Sequence, residues 1–252
     1  MDLKIHQLKG YIQTIYLVEE NGSFLLLDGC CRPDVEIVES YLESNLNRNL
    51  SDIKLVITTH AHPDHMGAVS FFQKKGIPIA GPRDLNLMYS GPFGIVTYWV
   101  DILLTYLVAL NKKRGFKNIL FSRNVKLDYI LTDLMEVPFF KNWKVLECPG
   151  HTIMDLSIFH EEQKLAYIAD NLVSTKTNVF RPYPIWKPQE YRSSLQRYID
   201  LGINDFLIAH YGQVKVSHER IKELIDSTPD IPRKHHNSLP AILMKLLKSV
   251  FK

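Results

Sequence analysis

Residues 53–59, IKLVITT, form a short, continuously apolar, β-branched run, the pattern of a strand buried on both faces. Such a strand demands packed layers above and below it, and it ends at an unusual place. The next residues, HAHPDH, put His60, His62, Asp64 and His65 within six positions, using three of the chain's 10 histidines. In a loop leaving a strand, residues two apart project to the same side, so His60 and His62 can converge on one ion. Pro63 forces a turn, after which Asp64 and His65 point into a neighbouring space. Imidazole and carboxylate are the ligands that Zn²⁺ and similar first-row ions prefer. Four ligands this close together cannot easily all reach one tetrahedral ion, so two ions sharing the cluster is the more natural geometry.

The surrounding chain reads as a layered α/β protein. YIQTIYLVEE and SFLLLDG are strands joined at Asn21-Gly22, a hairpin turn signal. Residues 33–46 have helical spacing, with Val35, Val38, Leu42 and Leu46 on one side and acids in the first turns. MGAVSFFQKKG reads as a helix closed by Gly76, and IPIAG as another strand. Residues 118–170 are strand-rich, a helix is expected over about 188–201, and DFLIAH is a further strand. Two batches of strands with helices between and after them imply two sheets. At 252 residues the chain can bury a substantial core, and its 46% hydrophobic and 23% charged residues are ordinary for a soluble domain. A net charge of +3 is too small to imply a nucleic-acid partner. The N-terminus lacks the apolar core of a secretory signal, so the expected compartment is the cytoplasm.

Further ligands stand at strand ends, as His60 does. His151 follows a strand in ECPGHT, Asp170 ends LAYIAD, and His210 ends DFLIAH. Singly, each reads as a hydrogen-bonded structural residue; together they form a pattern. His6, His160, His218, His235 and His236 lack this context and are expected at the surface. Cys30, Cys31 and Cys148 offer neither an even count nor a CxxC spacing, so reduced, inert thiols are expected, although Cys148 lies close enough to His151 to be a ligand.

Two segments stand outside this plan. Residues 93–110, FGIVTYWVDILLTYLVAL, are apolar almost all round, with Thr97, Asp101, Thr105 and Ala109 four apart on one stripe. A membrane span is disfavoured, because Asp101 at its middle costs about 2.5–3.5 kcal/mol on insertion scales. A buried or lid helix is expected, with a homodimer face or a membrane-surface contact as the other readings. The tail SLPAILMKLLKSVFK places Lys245, Lys248 and Lys252 on one face of a helix. It is expected to pack on its own domain, the alternative being a basic amphipathic helix on a membrane surface.

This pattern, HxHxDH followed by distant His, Asp and His, resembles that of the metallo-β-lactamase superfamily of metallohydrolases, and all seven positions are present. YLVEENGSFLLLDG, with Asp28, resembles its opening hairpin, ECPGHT its third motif and AHYG its last, over about residues 11–215. The resemblance implies a four-layer αββα sandwich over residues 1–230, with an inserted helical cap at about 91–117 and a tail at 231–252. It also implies two divalent ions, most simply Zn²⁺, with Mn²⁺ or Fe²⁺ as alternatives. His60, His62 and His151 would hold the first, Asp64, His65 and His210 the second, and Asp170 would bridge them. Asp64 would orient a bridging water and receive its proton, leaving hydroxide.

The ligand set does not choose the substrate. Exported β-lactamases of this superfamily typically lack the bridging aspartate, and Val173 stands where quorum-signal lactonases usually carry a tyrosine. No glutathione site, nucleic-acid module or flavodoxin domain is evident. A cap rich in Tyr98, Trp99, Leu103, Tyr106 and Leu107, with Tyr211 beside His210, would favour a small, partly apolar ester, thioester or lactone. RPYPIW, with Arg181, Tyr183 and Trp186, would form another wall. A phosphodiesterase acting on a nucleotide or phospholipid head group is the second expectation, and an iron-dependent redox or metal-binding member the third.

Overall fold

In the computed structural model, which describes residues 3–175 and 177–233, two six-stranded sheets lie face to face between two layers of helix. The first sheet contains β1 (Leu3–Lys9), β2 (Thr14–Glu20), β3 (Ser23–Leu27), β4 (Ile53–Ile57), β5 (Ile79–Pro82) and β6 (Tyr129–Leu131), in that spatial order. The second runs β14 (Gly212–Lys215), β13 (Asp205–Ile208), β10 (Leu165–Tyr167), β9 (Leu156–His160), β8 (Phe140–Glu147) and β7 (Glu136–Val137). A small hairpin, β11 (Val173–Ser174) with β12 (Val179–Phe180), stands apart. Helices α1 (Val35–Leu46), α2 (Pro63–Met66), α3 (Val69–Lys74) and α4 (Gly91–Asn111) belong to the first half, and α5 (Pro188–Asp200) and α6 (His218–Asp226) to the second.

Strand periodicity produces the layering. In β3, Phe24 and Leu26 join the core under the first helices, while Leu25 and Leu27 join the core between the sheets. In β13, Leu207 faces the other sheet while Phe206 and Ile208 face α5 and α6. Apolar on both faces, these strands can exist only in a four-layer stack, which is the expected αββα arrangement. The Asn21-Gly22 turn has φ of 50° and 77°, as a two-residue hairpin of this twist requires. β3, β4, β5 and β6 are parallel, so their C-terminal ends share one edge, and β4 delivers the histidine cluster there.

The structure departs from the sequence reading in several places. β1 and α6 were not anticipated, because LKIHQLK and HERIKELID mix charge with apolar residues. Residues 118–128 carry no strand. His160 is fully buried in β9 rather than at the surface, its ring edge-on to Trp143 and its Nε2 3.9 Å from Glu20, and burial lowers its pKa. His6 is half-buried, its Nδ1 3.0 Å from the Tyr41 hydroxyl. α4 is turned the opposite way from a typical surface helix. Its small and polar residues Gly94, Asp101, Thr105 and Ala109 face inward, and Tyr89 donates a 2.8 Å hydrogen bond to Asp101. By length and composition α4 could cross a membrane, yet its inner side packs on the first helical layer, where Tyr98, Ile102 and Ala109 join the core. Lys245, Lys248 and Lys252 of the tail, with His235 and His236, lie outside the described residues.

Candidate metal centre

Seven side chains from both sheets meet at the edge where β4 ends. His60 and His62 come from the β4–α2 connection, Asp64 and His65 from α2, His151 from the loop after β8, Asp170 from the turn after β10 and His210 from the turn after β13. All are buried except His210, which is partly exposed. They form two groups of possible ligand atoms, each within 4.8 Å of one another: His60, His62, His151 and Asp170, and Asp64, His65, Asp170 and His210. Asp170 belongs to both.

The spacing is that of a metal cradle. Four tetrahedral ligands about 2.0–2.1 Å from an ion stand roughly 3.3–3.4 Å apart. In the first group His62 Nδ1 lies 2.9 Å from His60 Nε2 and 3.4 Å from His151 Nε2, and Asp170 Oδ2 is 3.6 Å from His151 Nε2. In the second, His65 Nε2 lies 3.5 Å from Asp64 Oδ2 and 3.3 Å from Asp170 Oδ2. His210 Nε2 is 3.3 Å from Asp64 Oδ2 and also 3.3 Å from Asp170 Oδ1. Asp64 Oδ2, His65 Nε2 and Asp170 Oδ1 are buried without a hydrogen bond, a costly state unless a cation satisfies them. The residues fit two divalent ions.

Outer partners fix which ring nitrogen faces inward. His65 Nδ1 lies 2.7 Å from Asp28, His151 Nδ1 2.9 Å from the Pro184 carbonyl and His210 Nδ1 3.3 Å from the Ile12 carbonyl. With Nδ1–H donated outward, each Nε2 lone pair points to the centre. Asp28, at φ 82°, also accepts from the Thr59 backbone at 2.7 Å and from the Tyr167 hydroxyl at 2.6 Å. One buried carboxylate thus ties β4, the His65 helix and β10 together. Asp155 does the same for the His151 loop, accepting from Thr152 N at 2.6 Å and Gly150 N at 3.1 Å. Asn171 holds the Asp170 turn by donating to the Cys148 carbonyl and the Tyr198 hydroxyl.

The electrostatics are those of crowded, buried charges. Burial opposes protonation of His65, but Asp64, Asp170 and Asp28 outweigh it and hold its pKa well above the ordinary value. Burial would raise the Asp170 pKa, yet His210 and His65 pull it well below the carboxylate range. His210 is raised against burial by the same aspartate. Without a metal His65 and His210 act as the counter-cations; with one they would give up those protons. Cys148 takes no part: it is buried, its thiol is pushed up to about 11 by desolvation, and it belongs to neither group.

A cavity of about 540 Å³ opens beside His210, lined among others by Lys9, Gln13, Tyr211, Lys112 and Arg114, with no carboxylate among its lining residues. Lys112 donates to the Ile12 carbonyl and Arg114 to the Gly10 carbonyl at 3.2 Å, and Tyr11 donates to Gly115 at 2.8 Å. These bonds bring the end of α4 onto the β1–β2 loop at the mouth of the site. Of the suggested substrate contacts, Tyr211 lines this cavity, and Tyr98, Trp99 and Tyr106 do not. The hydroxyls of Tyr98 and Tyr106 are used on the carbonyls of Phe121 and Lys117, and Trp99 faces solvent. Arg181 and Tyr183 line a different cavity of about 380 Å³. Sequence reasoning overlooked Lys112, Arg114, Gln13, Asp155 and Asn171; the KKRG run after α4 was the one visible signal.

Comparison with known proteins agrees with this geometry. Residues 8–210 match the family described as the metallo-β-lactamase superfamily, and the chain belongs to it. A probable metallo-hydrolase, YqjP of Bacillus subtilis (strain 168), is 26% identical over 176 residues, covering 65% of this chain and 54% of that protein. A metallo-β-lactamase family protein of Thermus thermophilus superposes with a TM-score of 0.66 at 21% identity, covering 97% of this chain and 82% of the other. TTHA1623, solved in a di-iron-bound form, gives 0.58 at 19% identity, covering 90% and 98%. The solved structures speak for the fold. The chain spans 17–60% of the lengths of the curated relatives it matches.

Proposed function

We propose that this protein is a metal-dependent hydrolase with a binuclear centre, acting on a small, partly apolar ester, thioester or lactone. The observation that carries the reading is the sharing of Asp170 between two buried donor groups at metal-ligand spacing. His60, His62, His151 and Asp170 would hold one ion, and Asp64, His65, His210 and Asp170 the other. Zinc suits this imidazole and carboxylate set, and a related fold solved with iron makes Fe²⁺ the alternative. Bound there, two divalent ions would supply Lewis acidity, lowering the pKa of a water molecule and polarising the bond under attack. Asp64 would offer Oδ2 to the second ion, and its other carboxylate oxygen would receive the water's proton. Its backbone carbonyl accepts from Gln13 and so keeps it in position. Asp28 keeps the His65 ring from turning away, and Asp155 holds the loop that carries His151.

The cations of the cavity favour a second reading, a phosphodiester substrate. Lys9, Lys112 and Arg114 line it together beside His210, and a substrate charged at the scissile centre would be attracted to such a site. A hydrolysis panel of thioesters, lactones, esters and phosphodiesters on metal-loaded protein separates the two. If carboxyl derivatives are turned over, and Lys112→Met with Arg114→Gln leaves KM nearly unchanged, the first reading stands. If phosphodiesters are turned over and the same substitutions raise KM about tenfold or more, the second replaces it. Activity surviving His62→Ala would show that turnover comes from elsewhere.

A further inference from the structure

α4 presents a continuous apolar face to solvent. Phe93, Val96, Trp99, Leu103 and Leu110 are all exposed, Phe93 at 89%, Trp99 at 56% and Leu110 at 65%. At 100° per residue Val96, Trp99, Leu103 and Leu110 fall on one side, and from Pro92 to Leu110 the stripe is roughly 27 Å long. Phe116, 83% exposed, extends it just beyond the helix. Isolated exposed apolar residues are ordinary in soluble proteins, but a contiguous stripe of this length with two large aromatic rings marks an interaction surface.

Charge decides what covers it. Residues 85–127 contain six Lys or Arg and a single acid, Asp101. That acid is buried and accepts from Tyr89, so the surface charge of this segment is entirely positive. Lys112, Lys113, Lys117, Arg123 and Lys126 are exposed beyond the apolar stripe. A second copy docked by this face would bring two cationic segments together, with only Asp84 and Asp128 at their ends to offset them. Residues 234–252 hold four lysines and no acid, so the chain's own tail meets the same repulsion. An anionic bilayer matches both features: its acyl region takes Trp99, Leu103 and Phe93, and its head groups take the lysines.

We infer that α4 is a membrane-docking element that seats the protein on an anionic lipid surface, lying in the interface rather than crossing it. Its inner face remains packed on the protein core, and its C-terminal end carries Lys112 and Arg114 to the cavity beside His210. The inference is independent of which bond the centre cleaves.

The test is co-sedimentation of the full chain with vesicles of phosphatidylcholine alone or with roughly 30% phosphatidylglycerol. Wild-type protein is expected to pellet with the anionic vesicles, less so at high salt. A Trp99→Glu, Leu103→Glu double variant should lose about tenfold or more in partitioning, with unchanged Tm and metal content. Replacing Lys245 and Lys248 by Glu in the full chain should leave most of the binding intact. Equal partitioning of wild type and the α4 variant overturns the proposal, as does binding lost only with the tail substitutions. A concentration-dependent dimer in wild type that the α4 variant breaks, without vesicle binding, assigns the face to a second copy and also overturns it.

Discussion

Asp34 shows how a buried side chain at the rim of a site couples stability to pH. It is fully buried and accepts from the backbone of Tyr11 at 2.7 Å and of Cys31 at 3.3 Å. Burial raises its pKa from 3.8 to about 7, only partly countered by those two hydrogen bonds. The folded state therefore holds the proton more tightly than the unfolded chain, so this carboxyl's contribution is greatest below pH 4 and is lost as pH rises toward 7. Asp34→Asn keeps an acceptor oxygen and removes the charge. The variant should gain stability, read as a higher Tm, relative to wild type as pH rises from about 4 to 7, by on the order of a few kcal/mol at most. A Tm difference that stays flat across that window would show that Asp34 ionises normally in the fold. At the same scale Asp28 is the residue on which His65, Thr59 and Tyr167 converge, a role its place in an LLLDG strand end only hinted at.

Among the elements, the loop from β8 to β9 depends on one backbone position. Gly150 has φ 148°, and a Cβ there would stand 2.5 Å from the Tyr191 Cα, so α5 lies directly on the loop that carries His151. Gly150→Ala must push α5 away or displace the loop. We expect a loss of about 1–3 kcal/mol, comparable to overpacking a core, together with weaker metal retention. Thermal melts and metal analysis of the purified variant check both, and a variant with wild-type Tm would mean that the loop can yield. α4 illustrates the opposite relation between sequence and structure. Its length and hydrophobicity were plain in the sequence, but not that its polar stripe would face the core and its leucines the solvent. A stripe of Thr, Asp and Ala identifies one side of a helix without saying which side is inside; here the Tyr89 hydroxyl and the first helical layer took it.

For the whole molecule, the centre draws ligands from both sheets, so bound ions would join the two halves of the sandwich. Removing each ion should lower Tm by roughly 5–10 °C if the metal is held at about a hundred times its Kd, because one site filled to that degree in the folded state alone adds about 2.7 kcal/mol. Differential scanning before and after chelation measures this, with metal content determined on both samples; equal melting temperatures would mean that the ions contribute nothing to the stack. The candidate ligands were legible in advance because metal chemistry restricts residue type so severely. Imidazoles, carboxylates and thiolates serve, and His60, His151, Asp170 and His210 stood where strand runs gave way to loops. The αββα layering was legible for a related reason, since strands apolar on both faces can exist only between other layers. What lies in no local pattern is which surfaces meet. The burial of His160 against Trp143, the convergence on Asp28, the approach of Lys112 and Arg114 to a loop a hundred residues earlier and the outward turn of α4 all depend on long-range contacts. Periodicity and spacing determined most of the strands and helices and picked out the seven candidate ligands; only the packing of distant segments decided what supports those residues, which charges line the approach to them and which apolar face was left in water.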